Sequence, residues 1–102
     1  MRDEVLLQYL KMACRGKKNA VTGRTLETRL HIGRNELRKR IHRLRCRGAP
    51  VASTQQGYFY AVTAGELYTT VRQLEKLRAG IDAAIRGLEA ALEGFGMPEG
   101  GP

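Results

Sequence analysis

The sequence has no tryptophan, only two cysteines and two histidines, and 10 acidic residues against 18 basic ones. It lacks the run of ~18 apolar residues that a membrane-spanning helix needs, and its start lacks the apolar segment of a signal peptide. Two cysteines without a pairing pattern give no disulfide framework, so we expect a reducing cytoplasm. We find no paired carboxylates, no nucleophile with a base and no phosphate-binding glycine loop. These absences disfavour an enzyme, and nothing indicates a cofactor, a metal or a small-molecule ligand.

Positive charge is abundant and unevenly distributed. Residues 1–50 contain 14 Lys and Arg against 4 Asp and Glu, whereas residues 51–102 contain 4 against 6. The charge is densest in residues 34–47, which carry seven basic side chains. A solvated helix face is one interpretation of such a run. Seven like charges on one short helix nevertheless repel each other unless phosphates or counterions neutralise them, so we expect a polyanionic partner.

The spacing of apolar residues predicts three helices in the first half, at about residues 3–15, 23–31 and 34–47. Thr22 offers an N-cap for the second helix, and a two-residue turn containing Gly33 separates it from the third. The third helix presents an apolar face formed by Leu37, Ile41 and Leu44. Two helices joined by so tight a turn are typical of a helix-turn-helix.

The period then changes to two, which predicts a β-hairpin. Residues 51–53 and 58–62 are the expected strands, and residues 54–57 are the turn. Alternation places Tyr58, Tyr60 and Val62 on the inward face. Phe59 would then point outward, beneath some covering element.

A long helix is predicted over residues 63–95, opened by a capping box formed by Thr63 and Glu66. Large apolar residues recur every seven positions, and a second seam runs beside them. Gly80 and Gly87 are tolerated inside a helix if a second helix approaches closely. We therefore predict a homodimer, whose orientation stays open and is antiparallel if glycine and alanine pack closely. The predicted contact residues are Leu67, Leu74, Leu77, Ile81, Ala84, Ile85, Leu88 and Leu92.

Thr22 to Arg45, followed by Gly48-Ala49-Pro50-Val51 and Gly57-Tyr58, resembles the N-terminal DNA-binding domain of the biotin-operon repressor family. That family has a small-residue start, Leu-x-x-x-Leu, a turn, a basic recognition helix with Leu-Arg, a Gly, and Gly-Tyr in the wing. Gly33 departs from the Ser or Thr usual there. No ligand-binding or catalytic domain follows the wing, so nothing supports a biotin or ligase function.

The resemblance covers about residues 3–62 and implies a winged helix-turn-helix. The expected fold class is mainly α with a small β-hairpin wing, that is α+β, with one long C-terminal helix. The expected organisation is a DNA-binding domain at 1–62, the long dimerisation helix at 63–95 and a flexible tail at 96–102.

In helix-turn-helix docking, the second helix enters the major groove, where Asn pairs with adenine, Arg or Lys with guanine, and Glu with cytosine. The predicted base contacts are Asn35, Glu36, Arg38, Lys39 and His42. The predicted phosphate contacts are Lys17, Lys18, Arg24, Arg34, Arg43, Arg45 and Arg47. The wing tip, Thr54, Gln55 and Gln56, is polar and uncharged.

Several of these residues have alternative interpretations. Glu36 is spaced to pair with Arg40, four residues on, rather than to read a base. His42 and Cys46 have the spacing of metal ligands, but two ligands are too few for a site. Neighbouring arginines could lower the pKa of Cys46 and give it a redox role. Cys14 is expected in the core.

The leading hypothesis is a sequence-specific double-stranded DNA-binding protein, a bacterial or phage transcriptional regulator acting as a homodimer on a palindrome. It would be cytoplasmic and associated with the nucleoid. The alternative is a winged-helix adaptor in a replication or recombination assembly, which binds DNA non-specifically or docks a protein partner. RNA binding is less favoured, because the aromatic platform usual for single strands is missing.

Overall fold

The computed structural model describes residues 2–96. Four helices and one hairpin follow each other along the chain: α1 (Arg2–Ala13), α2 (Gly23–Leu30), α3 (Arg34–Cys46), β1 (Val51–Thr54), β2 (Gly57–Tyr60) and α4 (Ala64–Leu92). Short 3₁₀ turns occupy Lys17–Asn19 and Glu93–Phe95. The predicted α+β class is confirmed, and the order of elements is compatible with a winged helix. Most of the predicted tail, residues 97–102, lies outside the described part.

Contacts divide the chain into two compact units, Met1–Thr70 and Val71–Pro102. The first holds a hydrophobic core to which α1, α2, α3 and both strands contribute. As predicted, Leu37, Ile41 and Leu44 of α3 are buried in it. The other fully buried large side chains are Leu6, Leu10, Cys14, Leu26, Val51 and Phe59.

Both ends of helix α2 are fixed by residues next to them in the sequence. The Thr22 side chain accepts a hydrogen bond from the backbone N–H of Thr25 at 3.1 Å, which confirms the predicted N-cap. His31 ends the helix in the left-handed conformation, with φ at 55°. Three residues later α3 starts after Gly33, which provides no side-chain cap. The tight turn expected between the two helices is therefore present.

The hairpin pairs β1 with β2 in antiparallel register, with Ala52 opposite Phe59 and Val51 opposite Tyr60. The predicted facing of β2 is wrong: Phe59 is 1% exposed, whereas Tyr58 and Tyr60 are half-buried and Val62 is exposed. The small Ala52 side chain leaves room for the phenyl ring in the core. Tyrosines also favour positions that keep the hydroxyl near water.

Strand β2 is paired on its other edge as well. Tyr58 exchanges two backbone hydrogen bonds with Val21, at 2.7 and 2.9 Å. Nearby, the Tyr60 N–H donates to the Cys14 carbonyl at 2.7 Å, and the Gly16 N–H donates back to Tyr60 at 2.9 Å. This pairing ends α1 at Ala13, two residues before the predicted end. The segment between α1 and α2 thus contacts the free edge of β2 through two isolated bridges, on either side of the 3₁₀ turn.

The start of α4 is joined to this sheet. Thr63 accepts a hydrogen bond from the Glu66 N–H at 3.1 Å, as expected for the cap. The Glu66 carboxylate accepts from the N–H of Val62 at 2.9 Å and from the N–H of Lys17 at 3.0 Å. These backbone donors hold the pKa of Glu66 below its ordinary value of 4.5. One carboxylate therefore connects the α1–α2 segment to the first turn of α4.

Candidate nucleic-acid interface

Helix α3 exposes the polar side that its apolar spacing predicts. Asn35, Arg38, Lys39 and His42 are exposed, whereas Glu36 is half-buried. Because the buried positions of α3 face α1 and α2, these four side chains share the opposite side of the helix. The exposed predicted base contacts therefore lie together on one surface.

Glu36 is engaged within its own helix. Its carboxylate accepts a 2.9 Å hydrogen bond from Nε of Arg40, and Arg40 is only 8% exposed. The hydrogen bond from the Arg40 guanidinium lowers the pKa of Glu36. The i,i+4 pairing considered from the sequence is thus present. A role for Glu36 at a base stays a prediction, and it would have to compete with this ion pair.

Two arginines at the C-terminal end of α3 pair with the acidic start of α1. Arg43 donates through two nitrogens to both carboxylate oxygens of Asp3, each at 2.8 Å. Arg47 donates to Glu4 at 2.6 Å. The Arg43 hydrogen bonds lower the pKa of Asp3. These two predicted phosphate contacts are already neutralised by the protein's own carboxylates.

Arg45, another predicted phosphate contact, is half-buried and holds the hairpin. Its guanidinium donates to the Val51 carbonyl at 2.9 Å and to the Ser53 hydroxyl at 3.1 Å. Burial lowers the pKa of this guanidinium. The Thr70 hydroxyl also bonds the Ser53 backbone, accepting its N–H at 3.0 Å. Arg45 therefore fixes β1 against the end of α3.

Three further arginines of α2 and α3 line an open groove of about 550 Å³. Arg24 comes from the first turn of α2, Arg34 from the first turn of α3 and Arg38 from its second. Glu27 and Tyr58 also line the groove. In the described part of the chain, none of the three arginines forms an ion pair. The N-terminal ends of α2 and α3 carry a partial positive charge, which adds to the positive potential of the groove and favours an anion.

A second concavity, of about 690 Å³, joins the α1–α2 segment to the hairpin tip. The predicted phosphate contacts Lys17 and Lys18 line it together with Gln56 of the predicted wing. Gln55 and Gln56 are exposed, and the Thr54 hydroxyl accepts the Gln56 N–H at 3.1 Å. The structure thus brings one predicted wing residue beside the two lysines.

His42 and Cys46 contact each other, with 3.5 Å between Nε2 and Sγ. Among residues 2–96 no group of three or more His, Cys, Asp or Glu side chains is placed to hold a metal ion. Cys46 is exposed and Cys14 is buried, as expected. Burial raises the pKa of the Cys14 thiol, which keeps it protonated.

The predicted dimerisation residues on α4 fall into two groups. Leu67 is half-buried against the core of the first unit. The other predicted contacts are all exposed, namely Leu74, Leu77, Ile81, Ala84, Ile85, Leu88 and Leu92. The second unit therefore presents a long apolar face to solvent.

No protein-family model matches the chain, and neither a curated protein nor a solved structure is similar enough to count as a match. Within residues 2–96, no helix has the length and apolar character needed to cross a bilayer.

Two residues of the groove and one buried arginine were not predicted from the sequence. Glu27 places a carboxylate among the three arginines, and Tyr58 contributes its ring to the groove wall. Arg40 is buried rather than solvated. Its position before Ile41 and three residues after Leu37 is the signal that could have revealed this, because it lies beside the apolar stripe.

Proposed function

We propose that this protein binds double-stranded DNA through helix α3 and acts as a homodimeric, sequence-specific transcriptional regulator. The observation that carries the proposal is the division of cations on α3. Arg40, Arg43, Arg45 and Arg47 are bonded within the chain, whereas Arg34, Arg38 and Lys39 are exposed and lack an ion pair in the described residues. A surface that keeps its cations unneutralised favours a polyanion.

The order of elements supports the same proposal. A helix, two helices joined by a tight turn, and a hairpin are compatible with a winged helix, a fold in which the N-terminal part of the second helix of the pair enters the major groove. In that docking, Arg38 and Lys39 would reach base edges and Arg24 and Arg34 would hold phosphates. Lys17 and Lys18, beside the hairpin tip, would extend the contact along the backbone.

The first experiment titrates the purified protein onto random-sequence duplex DNA at several salt concentrations. Fluorescence anisotropy measures the binding. We expect binding that weakens steeply with salt, with a log–log slope of several units, because each neutralised phosphate releases a counterion. Absence of binding at low salt would contradict the proposal.

Selection from a random pool would then give the preferred site. On that site, Lys39→Ala and Arg38→Ala should each weaken binding by about 1–3 kcal/mol, if they contact bases. The matched control is Arg86→Ala, which removes an exposed cation from the second unit. Equal effects of Lys39→Ala and Arg86→Ala would exclude α3 as the reading helix.

A second candidate is an adaptor that binds DNA without sequence preference and docks a protein, and the exposed apolar face of α4 favours it. The ratio of specific to random-sequence affinity separates the two. A ratio near one, with a chain that stays monomeric when purified, would favour the adaptor.

A further inference from the structure

The second unit has an apolar face that its own described residues leave in water. Leu77 is 64% exposed, Ile81 is 61% exposed and Leu88 is 70% exposed. Successive members of this set are four and seven positions apart, so they lie on one side of the helix. Exposed apolar stripes of this length are typical of an interface.

We propose that this face pairs with the same face of a second copy, and that the two helices run antiparallel. The inference rests on the homodimer of the proposed function and adds the orientation of its two helices. The test involves no DNA, so the pairing can fail while DNA binding holds, and the reverse.

The size of the side chains along the two seam positions favours the antiparallel orientation. One position holds the large residues Leu74, Ile81 and Leu88, and the other holds Leu77, Ala84 and Ala91. A parallel pair stacks each residue on its own copy. That arrangement would alternate wide layers with two nearly empty ones, at Ala84 and Ala91, which well-packed interfaces avoid.

An antiparallel pair removes this mismatch in the register that overlaps residues 74–91 of the two copies completely. With the two-fold axis between residues 82 and 83, Ile81 faces Ala84 of the second copy and Leu74 faces its Ala91. Leu77 then faces Leu88. Each alanine therefore meets a large side chain, and the layers have a more even thickness.

Glycine positions agree with this register. Gly80 and Gly87 are exposed, and no heavy atom outside the helix backbone lies within 4 Å of the Cβ position of either. In the antiparallel register, Gly80 and Gly87 of the second copy flank the same side of the seam, offset along the axis by two residues, or about 3 Å. Since neither has a side chain, the two backbones can approach closely.

Charge is also distributed unevenly along α4. Residues 71–80 carry three basic side chains against one acidic, whereas residues 81–93 carry three acidic against one basic. An antiparallel pair brings opposite halves together and opposes the helix dipoles, whereas a parallel pair brings like halves together. Charge and side-chain size thus favour the same orientation.

The decisive variant is Ala84→Leu in the full chain, measured by sedimentation equilibrium. Antiparallel pairing places the new leucine against Ile81 in two symmetric layers, so we expect dimerisation about tenfold weaker or more. Parallel pairing would fill an empty layer, and dimerisation would become tighter. Because leucine is a good helix former and Ala84 is exposed in the single chain, the helix itself should persist.

Two further variants keep this test sharp. Adding Ile81→Ala to Ala84→Leu restores one large and one small side chain in each layer, so we expect dimerisation to recover. Ala83→Leu is the matched control, because residue 83 points away from the seam, and it should leave the dissociation constant unchanged.

Cross-linking gives an independent readout of orientation, in a Cys46→Ser background that removes the exposed thiol. Antiparallel pairing predicts that Leu88→Cys forms a disulfide dimer only when mixed with Leu77→Cys. Efficient disulfide formation by Leu88→Cys alone, tighter dimerisation of Ala84→Leu, or a chain that stays monomeric would each overturn the proposal.

Discussion

The guanidinium of Arg43 forms two parallel hydrogen bonds with the carboxylate of Asp3, each 2.8 Å long, between side chains 40 residues apart. Asp3 is in the first turn of α1, and Arg43 is in the last part of α3. The pair joins the two helices and neutralises a cation at the far end of the basic helix. Under the proposed function, a polyanion would therefore be directed towards the N-terminal half of α3.

Asp3→Asn should release Arg43 for phosphate. We expect tighter binding to random duplex DNA and a salt slope steeper by about one unit, because one more cation becomes available. Glu75→Gln is the matched control: it makes the same change of net charge in the second unit. If the two variants bind DNA with equal affinity, the tighter binding results from the change in net charge, and Arg43 does not contact phosphate.

Gly57→Ala should disrupt the pairing of β2 with the α1–α2 segment. Gly57 has φ at 127°, and a Cβ there would lie 1.9 Å from the Val21 carbonyl oxygen. We expect a loss in the free energy of unfolding above ~3 kcal/mol, measured by urea denaturation. Gly48→Ala, at φ 91° with open space around it, should cost only the backbone strain of about 1–3 kcal/mol. Equal losses would mean that the close approach to Val21 contributes nothing.

Phe59→Ala tests the corrected facing of the hairpin. Removing a ring that is 1% exposed should lower the free energy of unfolding by about 3–5 kcal/mol. Met12→Ala, at a residue that is 81% exposed, should change it by less than about 0.5 kcal/mol. Calorimetric melting of both variants would measure the difference, and a small loss for Phe59→Ala would place the ring outside the core.

Acid should weaken the connection made by Glu66. Its pKa is lower in the folded chain than its ordinary 4.5, so the ionised form stabilises the fold. That contribution is complete above the unfolded pKa and is lost as pH falls through the lower folded value. Unfolding free energies at pH 6 and pH 3.5 should therefore differ less in Glu66→Gln than in the wild type. An unchanged pH dependence would show that the Lys17 and Val62 hydrogen bonds do not depend on charge.

Local patterns were enough to predict most of the elements. Thr22 caps α2, Leu37 and Ile41 are buried, and Glu36 pairs with Arg40, because each of these features depends on residues within one or two turns. The helix-turn-helix spacing and the hairpin followed from the same short-range signals.

Contacts between distant segments could not be predicted in this way. The bonds from Arg43 to Asp3 and from Glu66 to the Lys17 N–H join residues 40 and 49 positions apart. Phe59 was misplaced because alternation gives two faces but does not say which one the core covers. The same distant partners decide which cations of α3 are neutralised. The surface that keeps its charge could therefore be identified only from the folded structure.

The two kinds of cation on α3 also bear on how this protein could change. Arg45 anchors the hairpin, so its replacement disturbs the fold whatever the ligand. Arg38 and Lys39 hold no other part of the described chain in place, so their substitution should change the free energy of unfolding very little. Under the proposed function, a few outward substitutions would therefore change the preferred target while the same scaffold persists beneath them.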